Sequence, residues 1–272
     1  MKSRLLVAAV GVPLVFVLLV LLPPWGTALL AALVSCLAAH EMLAAVGLGQ
    51  PFPTALGCLS ALAVTAAVYF RLPLVWLAAW AALVILLLFA LWVAYYEKER
   101  PFGLAGIGAG LLACLLIPAG MAALVLLRQG ERGSCAVLLP IVVTFVGDAG
   151  ALFTGMALGR HKLAPRTSPK KTVEGAVGGL LSSVAAALLF GLILRWAFAV
   201  PCALPQLLLS ALIGGAVSQL GDLAFSLIKR EFGVKDYGRL LPGHGGALDR
   251  FDSTVFAAPV LLLLTEALRV WA

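Results

Sequence analysis

The sequence predicts an all-α polytopic membrane protein, a chain whose helices cross a bilayer several times. Of its 272 residues, 63% are hydrophobic and only 11% are charged, and the mean hydropathy is +1.11. A chain of this composition has too little polar surface to cover the exterior of a soluble protein. Its apolar residues also form long runs separated by prolines and charges, which is the pattern of bilayer-spanning helices.

About nine segments approach the roughly 20 apolar residues that a spanning helix needs. They fall near residues 5–22, 26–46, 53–70, 74–96, 103–127, 135–158, 174–199, 205–228 and 252–271. We expect the run that follows Lys2 and Arg4 to be the first of these helices and not a cleaved signal. The whole chain, 1–272, is treated as one integral-membrane domain, with scaffold helices in 1–130 and the chemical motifs in 131–272.

The distribution of Lys and Arg predicts that the amino terminus is cytoplasmic. With that orientation, 14 of the 19 basic residues lie on the cytoplasmic side and five on the other. Most of the cytoplasmic charge falls in two connections, 159–174 and 229–251. Because the positive charge follows the membrane topology, a nucleic-acid partner is not expected.

The five cysteines predict neither a disulfide framework nor a zinc site. Their number is odd, no two are spaced as C-x-x-C, and all lie in apolar segments. We therefore expect them to be small buried residues.

The stretch Ser226–Asp252 differs most from the rest of the chain. It holds nine of the 31 charged residues, interleaved with five glycines. Glycine lets a backbone approach a ligand closely, and the mixture suits a phosphate-rich substrate that carries a metal ion. Positive-inside topology accounts for the basic residues of this stretch but not for its acids and glycines.

Three acids fall inside apolar segments: Glu41, Asp148 and Asp222. A charged residue at the centre of a spanning helix costs about 2.5 to 3.5 kcal/mol, so each needs a partner or a function. Asp222 and Asp148 are expected roughly 12 and 15 Å inside their helix ends, at similar depth. Glu41 has a further interpretation, a simple hydrogen bond between helices.

Two more acids, Asp249 and Asp252, share one face at the start of the last helix. Carboxylates on separate helices, flanked by basic residues, are what a Mg²⁺-nucleotide site requires. The alternative for Asp222, Asp249 and Asp252 is an intramembrane cluster of ion pairs with Lys229, Arg230 and Arg250.

The earlier cytoplasmic connection contains Lys170 and Lys171 just before a predicted helix. Lysines beside a helix amino terminus favour phosphate binding, although they also fit the charge expected at a membrane boundary. His244 lies between two glycines after a proline, in a turn that can bring imidazole and backbone N–H groups to an anion.

These residues resemble the signature of the phosphatidate cytidylyltransferases, also called CDP-diglyceride synthetases. The main motif comprises Ser226, Lys229, Arg230, Lys235, Asp236, Gly238, Leu241, Pro242, His244, Gly245, Gly246, Asp249, Arg250 and Asp252. The segment 168–175, SPKKTVEG, and the Gly221-Asp222 pair are similar to the same family. Ala247 departs from the pattern, since the family usually has a larger hydrophobic residue there.

The resemblance implies transfer of the cytidylyl group of CTP to phosphatidate, with release of pyrophosphate and formation of CDP-diacylglycerol. It further implies Mg²⁺ as cofactor, a homodimer, and a bacterial-type inner membrane with the site facing the cytoplasm. The expected catalytic residues are Asp222, Asp249, Lys229 and His244. The expected metal ligands are Asp222, Asp249, Asp252 and Asp148. The expected substrate-binding residues are Lys170, Lys171, Ser226, Arg230, Lys235, Asp236, Gly245, Gly246 and Arg250.

Two alternatives stay open from the residues. The same layout would serve a related membrane transferase or kinase that acts on an isoprenoid or ether lipid. An ion-coupled transporter built on Glu41, Asp148 and Asp222 is the alternative from another class, but it leaves the Ser226–Asp252 pattern unexplained.

Overall fold

A computed structural model describes residues 11, 13–97, 103–238 and 245–271. Within them, a π-helical turn at Val17–Leu21 precedes eight helices. These are α1 (Pro24–Ala45), α2 (Pro51–Tyr69), α3 (Leu74–Tyr96), α4 (Leu104–Gln129), α5 (Gly133–Leu158), α6 (Val173–Ala197), α7 (Leu204–Glu231) and α8 (Leu248–Ala267). A second π-helical turn, Leu112–Leu116, interrupts α4.

Seven of these helices, α1 to α7, are long and apolar enough to cross a membrane. Their bounds match the apolar segments of the sequence, and prolines occupy the first turn of α1, α2 and α7, where a missing N–H leaves no helical hydrogen bond unmade. The polytopic helical class is therefore confirmed. The count of nine and the side of the amino terminus stay predictions, because the first predicted segment falls partly outside the described residues and α8 carries several charges near its start.

A small antiparallel hairpin joins α5 to α6 and is an addition to the predicted all-α architecture. Strand β1 (Lys162–Ala164) pairs with β2 (Ser168–Thr172). Glu174, in the first turn of α6, accepts hydrogen bonds from the Arg160 and His161 backbone N–H groups at 3.0 and 3.2 Å. The hairpin is thereby tied to the start of α6, and β2 carries both Lys170 and Lys171.

The helices pack as two groups that α8 joins. In the first group α1, α2 and α4 contact one another, and in the second α6 packs against both α5 and α7. The last helix contacts α7, α4 and α5. Helix α3 lies at the periphery, since only Val84, Leu88 and Leu91 of its residues are buried. Helix α4, in the region predicted to be the scaffold, therefore supports α8, which carries Asp249 in its first turn.

Close approach of α5 and α6 depends on small residues. A Cβ atom at Gly147 would lie 2.3 Å from the Ser183 hydroxyl oxygen, and one at Gly178 would lie 2.3 Å from the Thr154 hydroxyl oxygen. Small residues allow membrane helices to approach closely, which strengthens van der Waals packing where no hydrophobic driving force exists. This packing fixes the position of Asp148, the residue after Gly147.

The expectation for the cysteines is wrong for one pair. Cys36 of α1 and Cys58 of α2 form a disulfide, with Cα atoms 4.5 Å apart. Sequence spacing could not reveal this pairing, because it depends on which faces of two neighbouring antiparallel helices meet. Cys114 is free and buried as expected, whereas the free Cys135 and Cys202 are only partly buried.

Candidate active site

A cavity of about 500 Å³ lies between the hairpin and helices α5, α6 and α7. Its polar lining includes Asp148 of α5, Asp222 of α7 and three lysines, Lys162, Lys170 and Lys171. Apolar side chains complete the wall on the side of α5 and α7, among them those of Leu152, Met156 and Leu223. The cavity thus combines cationic groups for an anion with an apolar wall for hydrocarbon. Four of the predicted site residues meet here.

An ion pair between Lys171 and Asp222 crosses the cavity. The lysine side chain is 28% exposed and the aspartate side chain 26%, so a ligand can reach both. The Ser226 hydroxyl, one turn further along α7, donates to the other oxygen of Asp222 at 3.4 Å. Lys171 and Asp222 are therefore positioned to exchange this contact for a ligand phosphate and a cation.

Asp148 connects the cavity to the start of α8. It is exposed, and the Ser253 hydroxyl donates to its Oδ2 at 3.3 Å. Asp252 precedes that serine, is buried, and accepts a hydrogen bond from the Ser253 backbone N–H at 2.7 Å. Asp252 also lies near enough to Asp222 and Asp148 to experience repulsion from their negative charges. Acids from three helices therefore approach one region, as the sequence predicts.

Lys229 and Asp249 form a second ion pair, which is buried. The Lys229 Nζ lies 2.9 Å from Asp249 Oδ1, and the two side chains are 11% and 5% exposed. Asp249 Oδ2 accepts hydrogen bonds from the backbone N–H groups of Tyr237 and Gly246 at 2.9 and 3.0 Å. Both oxygens of Asp249 are thus engaged: Oδ1 pairs with Lys229 of α7, and Oδ2 links the two described parts of the connection between α7 and α8.

Tyr237 reinforces this buried pair. Its hydroxyl donates to the Phe225 carbonyl at 2.8 Å, and the Lys229 Nζ lies 5.3 Å from the centre of its ring, within the range of a cation–π contact. Burial, together with the negative charges of Asp249 and Asp252, raises the pKa of the Tyr237 phenol above its usual range. The phenol therefore stays protonated and keeps its hydrogen bond.

The remaining predicted residues lie around these pairs. The Arg230 Nε donates to the Thr167 carbonyl of the hairpin at 3.1 Å, which ties the hairpin to the end of α7. Lys235 and Asp236 are exposed. Arg250 is exposed and interacts electrostatically with Asp148. Gly245 adopts a φ of +82°, a conformation that favours glycine. His244 lies outside the described residues.

Two contributors, Gln219 and Thr172, were not predicted from the sequence, and the partners of a third residue, Glu41, were not predicted either. Gln219 of α7 lines the cavity and donates to the Ala176 carbonyl at 2.8 Å. The Thr172 hydroxyl accepts from the Gly175 N–H and caps α6; a threonine before a helix with an acid two residues later is a recognisable capping signal. Glu41 of α1 accepts hydrogen bonds from the Ala247 and Leu248 N–H groups at the start of α8. The prediction that Glu41 makes a hydrogen bond between helices is therefore confirmed.

The donor set near the cavity fits a hard divalent cation. Mg²⁺ prefers oxygen ligands, takes one or two from carboxylates and fills the rest of its shell with water and substrate phosphates. Asp148 and Asp222 supply such oxygens on the accessible cavity wall, and Asp252 lies behind them. No three His, Cys, Asp or Glu residues within the described parts of the chain stand together as a complete metal cage, so substrate oxygens and water would have to complete the shell.

Comparison with known proteins agrees with the resemblance of the motifs. The model of the cytidylyltransferase family matches residues 2–268. A phosphatidate cytidylyltransferase of Brucella suis is 47% identical over 161 residues, which cover 57% of this chain and 57% of the relative. Proteins of the same name from Staphylococcus saprophyticus and Bacillus subtilis are each 43% identical, over 145 and 134 residues.

The two latter alignments cover 53% and 49% of this chain, and 54% and 48% of the relatives. The chain thus spans about half the length of the curated relatives it matches. The family model extends over nearly all of the sequence, including the scaffold helices as well as the cavity. The chain therefore belongs to the cytidylyltransferase family.

Proposed function

We propose that this protein transfers the cytidylyl group of CTP to phosphatidate, giving CDP-diacylglycerol and pyrophosphate. The observation that carries the proposal is the cavity in which Lys170 and Lys171 face Asp148 and Asp222 beside an apolar wall. A lipid phosphate and a nucleotide triphosphate both need cations, and the acyl chains of the lipid need hydrocarbon contact. The names of the aligned relatives agree with this substrate pair.

The reaction needs no nucleophilic side chain. A phosphate oxygen of phosphatidate attacks the α-phosphorus of CTP, the bond to the β-phosphate oxygen breaks, and pyrophosphate leaves. The protein then contributes in-line positioning and neutralisation of charge. Lys170 and Lys171 bind the phosphates, and Asp222 releases Lys171 when the ligand enters. Arg230 holds the hairpin in place through the Thr167 carbonyl.

A divalent metal, which we infer to be Mg²⁺, accompanies the nucleotide and, when bound, supplies charge stabilisation for the leaving pyrophosphate. Asp222 and Asp148 on the cavity wall, with Asp252 behind them, would hold it. The predicted metal-binding role of Asp249 stays a prediction, and that residue would have to exchange its contact with Lys229 for the ion. Roles for His244, Ser226, Lys235, Asp236, Gly245, Gly246 and Arg250 at the substrate are likewise proposals.

The membrane arrangement follows from the same proposal. The amino terminus and the cavity face the cytoplasm of a bacterial-type inner membrane, because the lysines and arginines concentrate on that side. Phosphatidate enters laterally, with its acyl chains against Leu152, Met156 and Leu223. The family resemblance favours a homodimer, which mass determination of the purified protein in detergent would test.

The experiment is a defined assay with purified protein, Mg²⁺, labelled CTP and phosphatidate in mixed micelles. The expected product is CDP-diacylglycerol with equimolar pyrophosphate, lost on chelation and restored by Mg²⁺. Replacing phosphatidate with an isoprenoid phosphate or an ether lipid separates the alternative acceptors. Absence of product with phosphatidate, or ion flux without consumption of CTP, would refute the proposal.

A further inference from the structure

We propose that Glu41 is a positioning residue for this reaction: its carboxylate, contributed by the scaffold half, sets the place of the first turn of α8. The inference rests on the proposed function and extends it to a residue that does not line the cavity. Helix α8 carries Asp249, Arg250 and Asp252 in its first five residues. A shift of its start therefore moves three charged groups with respect to Asp222 and Lys171.

The contact itself is a helix cap supplied from another helix. Glu41 lies near the end of α1 and is 6% exposed. Its Oε1 accepts from the Ala247 N–H at 2.9 Å and its Oε2 from the Leu248 N–H at 2.8 Å. The first N–H groups of a helix have no partner within the helix, and Ala247, at the N-cap position of α8, offers no side-chain cap. Glu41 supplies the missing acceptor and a negative charge that the helix dipole favours.

The same carboxylate also lies close to Gly238 and Gly246, one in each described part of the connection between α7 and α8. A Cβ atom added at Gly238 would lie 2.3 Å from Glu41 Oε1, and one at Gly246 would lie 2.3 Å from Oε2. Neither glycine has a positive φ, unlike Gly245. Backbone conformation therefore does not demand glycine at these two positions. Glycine is needed at both positions because the Glu41 carboxylate approaches too closely to leave room for a Cβ atom.

Asp249 holds the same connection from its other side. It binds the N–H groups of Tyr237 and Gly246 while it pairs with Lys229. The described parts of the connection, near Gly238 and Gly246, thus lie between the carboxylates of Glu41 and Asp249, one from each half of the chain. Removing Asp249 would also remove the buried ion pair, whereas changing Glu41 alters only the alignment of α8. This makes Glu41 the residue with which alignment can be tested separately.

The test compares Glu41→Gln with Glu266→Gln, which removes the same charge from an exposed position near the other end of α8. Turnover is measured per folded molecule, with kcat and the KM for CTP determined separately and the melting temperature recorded. A displacement of about 1 Å can cost on the order of 100-fold in rate. We expect Glu41→Gln to lower kcat by about 10- to 100-fold. The KM for CTP should change by less than about twofold, because the lysines stay on the hairpin. Glu266→Gln should match wild type.

A double-mutant cycle keeps the proposal testable if Glu41→Gln does not fold. Gly246→Ala forces a methyl group against the Glu41 carboxylate, whereas Glu41→Asp withdraws the carboxylate by one methylene. We expect Gly246→Ala to lower kcat by about 10-fold in the wild-type chain and by about twofold in the Glu41→Asp chain. Equal factors in both chains would overturn the proposal.

A wild-type kcat per folded molecule in Glu41→Gln would also overturn it. If the melting temperature fell at the same time, the contact would be a merely structural cap. An inactive wild-type protein would refute the proposed function itself. Failure of the Glu41 inference, in contrast, would be seen against an active wild-type enzyme.

Discussion

Two ion pairs on helix α7, two turns apart, have different surroundings although they join the same residue types. Lys171 and Asp222 are 28% and 26% exposed beside the cavity, whereas Lys229 and Asp249 are 11% and 5% exposed. The partly exposed pair, Lys171 and Asp222, has one further hydrogen bond, from Ser226. In the buried pair, Asp249 also accepts hydrogen bonds from two backbone N–H groups, and Lys229 lies over the ring of Tyr237.

Under the proposed function, this difference separates ligand binding from positioning. A solvent-accessible pair gains little net free energy from its contact, so a phosphate or a cation can displace it at small cost. Breaking a buried pair leaves an unpaired charge away from water, which is costly. Lys171 and Asp222 are therefore suited to bind a ligand, and Lys229 and Asp249 to hold the connection between α7 and α8 in place.

The largest effect is expected from Asp249→Ala. The substitution leaves the Lys229 ammonium and two N–H groups without their acceptor, and we expect the free energy of unfolding to fall by about 3 to 5 kcal/mol. Chemical denaturation of the purified protein measures this change. Adding Lys229→Met to Asp249→Ala should recover part of the loss, because the unpaired charge is gone. A loss below about 1 kcal/mol in the single variant would contradict a positioning role for this pair.

Asp222→Asn should separate activity from stability. We expect turnover in the CTP and phosphatidate assay to fall by about 100-fold or more. The free energy of unfolding should change by less than about 1 kcal/mol, because the Lys171 contact is partly exposed to solvent. The matched control is Glu131→Gln, which neutralises an exposed acid away from the cavity. Near wild-type turnover in Asp222→Asn would remove this aspartate from the metal and catalytic assignments.

The sequence predicted the residues of the cavity better than the buried pair. Asp148 and Asp222 were expected at similar depth because helix rise converts residue number into distance, and both line one cavity. The lysines of the earlier connection, 159–174, were expected beside a helix start, and they lie in β2 directly before α6. Local periodicity and membrane topology carry this information, and both can be read from one segment at a time.

Contacts between distant segments could not be predicted in the same way. Glu41 lies 206 residues before Ala247, its hydrogen-bond donor, and nothing in either segment identifies the other. The partners of Asp249 likewise depend on how the connection after α7 folds back onto α8. The Cys36–Cys58 pair and the hairpin also follow from tertiary packing and turn geometry. Positioning contacts of this kind therefore require the structure.

Lys171→Gln tests whether the partly exposed pair, Lys171 and Asp222, binds substrate. We expect the KM for CTP to rise by about 10-fold, equivalent to about 1.4 kcal/mol, because one charge-assisted contact to phosphate is lost. Steady-state kinetics with varied CTP gives the value. Arg166→Gln is the matched control, since it removes a positive charge from an exposed position of the same hairpin. An equal rise in both variants would indicate a general effect of charge and not a contact of Lys171.

Thr172→Val should have the smallest effect and tests whether the cavity wall contributes to stability through its helix cap. The Thr172 hydroxyl accepts from the Gly175 N–H at 3.1 Å, so its loss should lower the free energy of unfolding by about 1 kcal/mol. The same substitution at Thr54, whose buried hydroxyl has no hydrogen-bond partner among the described residues, should cost nothing. Since Thr172 adjoins Lys171, kcat per folded molecule should stay within about twofold of wild type if the cap only stabilises α6. A large fall in kcat at unchanged stability would instead place the cap among the groups that align Lys171. The partly exposed pair would then depend on positioning contacts as well, as the buried pair does.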